Sequence, residues 1–150
     1  MAVKKEVSRI SEIKRMFNLI RHPLEFKPRD VMQLIVGSAI LAVPVGFTEE
    51  TWKLGETLPI LNIIGLLLVS AVFISLFVYY NYYKGHFAAN WDEFAKRVFS
   101  TYIVSFAVVA IILTIIQRAP WSTEWILAFK RTVIVAFPSS MSAAVADMIK

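Results

Sequence analysis

Two stretches of this chain combine residues able to hold a hard cation. The first, Pro44–Gly55, reads PVGFTEETWKLG and places Thr48, Glu49 and Glu50 directly after a proline and a glycine. The second, residues 136–149, reads AFPSSMSAAVADMI and places Ser139, Ser140 and Asp147 after Pro138. Carboxylate and hydroxyl oxygens are the donors that Na⁺, K⁺ or Ca²⁺ prefer. A helix broken by proline exposes carbonyls that can join them where the break lines a cavity. In both stretches small residues lead to an acid at four-residue spacing, the spacing of one helix face. Ser38, Ala42, Gly46 and Glu50 form one such stripe, and Ser139, Ala143 and Asp147 the other. Small faces also let two helices pack closely without any ligand, and Ser38, Ala42 and Ala143 are the packing candidates. Pro44, Gly46 and Pro138 are the expected breaks.

Cations near the acids offer a plainer account. Lys130 and Arg131 enter the last helix at about the depth where Glu49 and Glu50 leave the first, so an ion pair is expected there. Asp147 has Lys27, Arg29 and Lys150 as candidate partners. Glu56 reads as solvated.

Catalysis is not expected. The chain has two histidines, His22 and His86, both outside the apolar runs. It carries no HExxH, GxSxG or phosphate-binding loop. Lys130 is too far along a helix from Ser139 to act as its base. There is no cysteine, hence no disulfide or thiolate site. No cofactor is expected, and the residues leave the identity of any metal ion open.

The elements that must position these groups follow from composition. Of the 150 residues, 57% are hydrophobic, and mean hydropathy is +0.62. Soluble domains average about 45–50% apolar, and so small a fold has too little interior to hide the excess. The expectation is an all-α, four-span transmembrane bundle with helices at about 30–52, 58–83, 97–117 and 123–148. Residues 57–83 carry no charge, more than the roughly 20 residues needed to cross hydrocarbon. Tyr79, Tyr80, Tyr82 and Tyr83 end that run as an interfacial belt. The fourth helix is the shortest in uncharged length, 132–146, and spans only if Lys130 and Arg131 snorkel or face protein.

Residues 1–28 read as a separate basic arm, ahead of a transmembrane domain at 29–150. Val3, Val7, Ile10, Ile13, Phe17 and Ile20 mark one helix face, and Lys4, Lys5, Arg9, Lys14, Arg15 and Arg21 lie off it. Such a helix lies in the headgroup layer against anionic lipid, and His22–Pro23 ends it. Nucleic acid is not the expected partner. With the N-terminus inside, twelve cations fall on inner segments and four on outer ones, so both termini are expected in the cytoplasm and the chain in the cytoplasmic membrane. No secretory leader or lipidation motif is expected.

The PVGFTEETWKLG segment resembles the first-helix signature of a prokaryotic family known only as "putative integral membrane proteins", a domain of unknown function. The segment at 136–149 resembles the same family's final helix. The resemblance implies a multi-span membrane protein without an assigned activity, and carries over Pro44, Glu49, Glu50, Trp52, Gly55, Pro138, Ser139 and Ser140.

The functional expectation is a small homo-oligomeric cation channel or transporter, for a monovalent or divalent cation. Glu49 and Glu50 would stand at the outer mouth, Ser139 and Ser140 at the constriction and Asp147 at the inner mouth. The alternative is a non-catalytic assembly or regulatory subunit that packs through its small-residue faces.

Overall fold

The computed structural model describes residues 1–21, 26–85 and 87–149, with the side chains of 17–21 not described. His22, Pro23, His86 and Lys150 lie outside the described residues. Among the described residues there are six α-helices: α1 (Ala2–Arg21), α2 (Pro28–Gly46), α3 (Glu49–Thr57), α4 (Ile60–Val78), α5 (Trp91–Ile115) and α6 (Trp125–Met148). A π-helical turn, Tyr79–Tyr83, extends α4. No strand is present among the described residues.

The expected single helix at 30–52 is two helices. Pro28 occupies the first position of α2, where a missing N–H costs nothing. Asp30 is the third residue of the helix, and its carboxylate accepts the Lys27 N–H at 3.0 Å. The helix passes through Pro44, which deletes one hydrogen bond and lies exposed, and stops at Gly46. The Trp52 indole N–H then donates to the Gly46 carbonyl at 2.8 Å, supplying the partner that a helix end lacks. Thr48 opens α3 from an extended conformation, and Glu49 and Glu50 fill its first turn. Carboxylates there complement the N-terminal end of the helix dipole, which accounts for two adjacent acids after an apolar run.

Pro138 does not break α6, which is continuous over 24 residues. A proline removes a single intrahelical bond, and here packing on both sides of it holds the rod together. Helix α5 starts six residues before the expected 97, since Trp91, Asp92 and Glu93 form a favourable first turn. It ends at Ile115 because Gln117 turns left-handed, at φ 58°, and Arg118 N–H bonds back to Leu113 O at 2.8 Å.

Helix α6 is the axis of the bundle and packs against α2, α3, α4 and α5. Its small face meets that of α2. A Cβ added at Gly37 would stand 2.5 Å from Ala146 Cβ and 2.9 Å from Ala143 Cα. Ser38, Ala42 and Ala143 are fully buried. One apolar core joins Ala42, Val109, Leu113, Ala128, Val135 and Ala136, and a second, aromatic one joins Ile74, Val78, Tyr83 and Phe94. Tyr83, Phe87 and Phe94 meet edge to face, with centroids 5.1–5.5 Å apart.

Three segments are long and apolar enough to cross a membrane: Pro28–Gly46, Ile60–Tyr83 and Trp91–Ile115. Against four expected, α6 is the one missing by this measure, because it carries Lys130, Arg131 and Asp147. It is also the helix richest in buried positions, so its charges meet protein before they meet lipid. Every described side chain of α1 is exposed, including Val3, Val7, Ile10 and Ile13.

Candidate functional site

Where α2 begins and α6 ends, three ionisable side chains come together out of solvent. Arg97 of α5 is 0% exposed, Asp147 of α6 1% and Asp30 of α2 3%. An Arg97 amino group bonds an oxygen of the Asp147 carboxylate, and the other lies 3.5 Å from Asp30. The Tyr82 ring covers the guanidinium at 4.2 Å and Phe26 lies at 5.5 Å, both suited to a cation over an aromatic face. Tyr82 also donates its hydroxyl to the Asp147 backbone carbonyl at 2.7 Å.

Local chemistry explains each position. The α2 start is pinned by the Lys27–Asp30 cap and by the Phe26 N–H, which donates to Glu93 of α5 at 3.3 Å. The π turn is wider than an α-turn, and its residues divide: Tyr83 is buried and Tyr82 half-buried on the Arg97 side, while Tyr80 is exposed. At the same end of α6, just past its last residue, Gln33 of α2 donates to Ile149 O at 2.7 Å.

Two carboxylates, Asp147 and Asp30, share the Arg97 guanidinium. Beside them Glu93 pairs with Lys96 at 3.0 Å. The second Asp147 oxygen, Oδ1, is buried and has no hydrogen-bond partner among the described residues. A buried ion pair costs desolvation that only good geometry repays, so an acceptor left open in such a place is a demanding feature. Chemically it suits a proton or a small cation.

The cations of α6 lie at the opposite end. Arg131, 7% exposed, bonds Glu56 at 2.6 Å and donates to the carbonyls of Arg118 at 2.9 Å and Trp52 at 3.3 Å. Lys130 donates to Leu58 O at 2.7 Å. Arg118 stacks on Trp52 at 3.7 Å. Thus Lys130 and Arg131 do not meet Glu49 or Glu50. A side chain leaving α6 reaches the far end of α3, where Glu56 stands, and Gly55 makes room: a Cβ there would lie 2.5 Å from Arg131 Cγ. Glu49 is exposed 3.6 Å from Lys53, Glu50 is exposed, and Thr48 bonds Val45 O and Thr51.

Ser139 and Ser140 lie between the two ends, both at 0% exposure. Ser139 donates to Val135 O at 2.7 Å, and Ser140 meets Phe137 O and Ser70 Oγ, each at 3.0 Å. Neither is brought to Glu49, Glu50 or Asp147. Similarly Ser38 Oγ lies 2.7 Å from Leu34 O and 2.9 Å from Ser105 Oγ, bridging α2 and α5. Among the described residues, no group of three or more His, Asp or Glu is arranged to hold a metal ion.

Asp147 therefore has Arg97 as its partner, not Lys27 or Arg29. Neither Arg97 nor Asp30 is among the residues that the sequence singles out. A signal was present: Arg97, Thr101, Ser105, Val109 and Leu113 recur every four residues, all buried on one face of α5. An arginine heading such a stripe points into protein.

Neither a curated protein nor a solved structure matches the chain. A family does match, described as "Putative integral membrane protein (DUF2391)", over residues 6–149. The match takes in all but the first few residues of α1 and the three apolar helices, α6 and the buried cluster besides. This chain belongs to that family of integral membrane proteins.

Proposed function

We propose that the chain is a non-catalytic transporter or channel of the cytoplasmic membrane that moves a proton or a small cation, with the Asp30–Arg97–Asp147 cluster as its site. The observation that carries this reading is the buried Asp147 carboxylate, whose Oδ1 has no hydrogen-bond partner among the described residues. Ionisable residues inside a membrane protein are expensive and tend to mark ion paths. Here the arginine holds two acids, and Asp147 Oδ1 keeps an acceptor open. In this reading α6 is the fourth span, shielded by the other helices, with its charges at its two ends. Both termini then lie in the cytoplasm, where Lys27, Arg29 and Lys96 flank the cluster. The exposed apolar residues of α1 rest in the headgroup layer, its cations on anionic lipid. Glu49 and Glu50, exposed at the start of α3, draw cations to the outer side. Four short helices enclose little space, so the working unit is a homo-oligomer. The small faces that would serve an assembly subunit are packed on each other within this chain.

The test is cation and proton flux into liposomes holding the purified protein. Asp147→Asn leaves Arg97 with Asp30 as a counter-charge, so folding is retained while the Asp147 carboxylate is gone. Flux is expected to fall about tenfold or more in Asp147→Asn, and only about twofold in the Glu49→Gln/Glu50→Gln variant, whose acids are solvated. Equal flux in Asp147→Asn and the unaltered protein, or no flux above empty liposomes, overturns the reading.

A further inference from the structure

Between α4 and α6, on the outside of the bundle, runs an apolar groove of about 350 Å³ lined by Phe73, Phe77, Tyr80, Met141, Ala144 and Val145. It lies beside the π turn and takes no part in the buried cluster. Lys84 neighbours it through Tyr80, with Nζ 5.6 Å from the centre of the Tyr80 ring that forms part of the wall. Lys84 and Tyr80 are both exposed. We infer that this groove is a specific lipid site, holding one acyl chain of an anionic phospholipid whose headgroup meets Lys84.

Charge and shape together select this occupant. An apolar trough inside the hydrocarbon layer accepts any chain, but a fixed cation beside it favours a negative headgroup over a zwitterionic one. The aromatic ring under the ammonium keeps that cation in place. The π turn creates the arrangement. It sends Tyr82 toward Arg97 and leaves Tyr80 and Lys84 on the lipid side, and such turns frequently occur at functional sites. The chain's own α1 is a poor occupant, since its lysines and arginines would face Lys84. The inference needs only that the chain is a membrane protein and is independent of ion movement.

Native mass spectrometry of the full chain in detergent, titrated separately with dioleoyl phosphatidylglycerol and dioleoyl phosphatidylcholine, tests it. Phosphatidylglycerol is expected to bind about fivefold more tightly, the size of effect one lysine exerts on an anionic headgroup. Lys84→Gln should bring the ratio close to one. Val145→Trp, at an exposed wall position, should weaken both lipids severalfold by filling the trough. Lys53→Gln, exposed at the far end, should leave the ratio unchanged. A ratio near one for the unaltered protein, a preference that survives Lys84→Gln, or a dimer that closes the groove to both lipids would overturn the assignment.

Discussion

Replacing Gly37 by alanine isolates the contact on which the bundle is built. In an exposed helix, glycine to alanine gains about 1 kcal/mol of helix propensity. At Gly37 the added carbon would meet Ala146 Cβ at 2.5 Å, Ala143 Cα at 2.9 Å and Ser142 O at 3.1 Å. Carbon atoms rest about 3.5–4.0 Å apart, so α2 and α6 would have to separate by about 1 Å. Two of those three atoms are backbone, so no rotamer change relieves them. Overpacking of this kind costs about 1–3 kcal/mol. Gly65 supplies the control, because nothing lies within 4 Å of a Cβ built there. Helix propensity cancels between the two variants, leaving a stability difference of about 1–3 kcal/mol against Gly37→Ala. Gly46→Ala belongs with the control, its nearest contacts being ordinary at 3.6 and 3.8 Å. Unfolding by sodium dodecyl sulfate in mixed micelles, followed by tryptophan fluorescence, measures all three. Equal midpoints for Gly37→Ala and Gly65→Ala would refute close backbone approach between α2 and α6 as the basis of the fold.

The two arginines give contrasting expectations in the same unfolding assay. Arg97→Met leaves two buried carboxylates without their shared cation and should cost about 3–5 kcal/mol, with much of the loss recovered when Asp30→Asn and Asp147→Asn are added. No recovery would mean that the arginine acts through packing alone. At the other end, Glu56→Gln should cost less than about 1 kcal/mol, because its side chain is 57% exposed. Arg131→Met should cost clearly more, since it also abandons the carbonyls of Trp52 and Arg118; equal effects of the two substitutions would contradict that capping role.

Composition and periodicity alone determined that this chain is helical and belongs in a membrane. So high an apolar content cannot be buried by 150 residues in water, and the uncharged run at 57–83 can hardly be anything but a span. The small stripe on the last helix was legible too, because a four-residue spacing is a property of the local backbone. Breaks were less legible. A proline removes one hydrogen bond wherever it stands, yet α6 continues through Pro138 while α2 stops only at Gly46, where Trp52 is able to take the released carbonyl. Partners were not legible at all. Glu49 and Glu50 open a short helix of their own, which a continuous reading of 30–52 did not show. Asp147 has its cation fifty residues away on α5. An ion pair between helices depends on which faces meet and at what height. Those are set by the depth to which Gly37 lets α2 and α6 approach, and by the π turn that brings Tyr82 over Arg97. Local sequence encodes a face, but only the assembled bundle decides what that face touches.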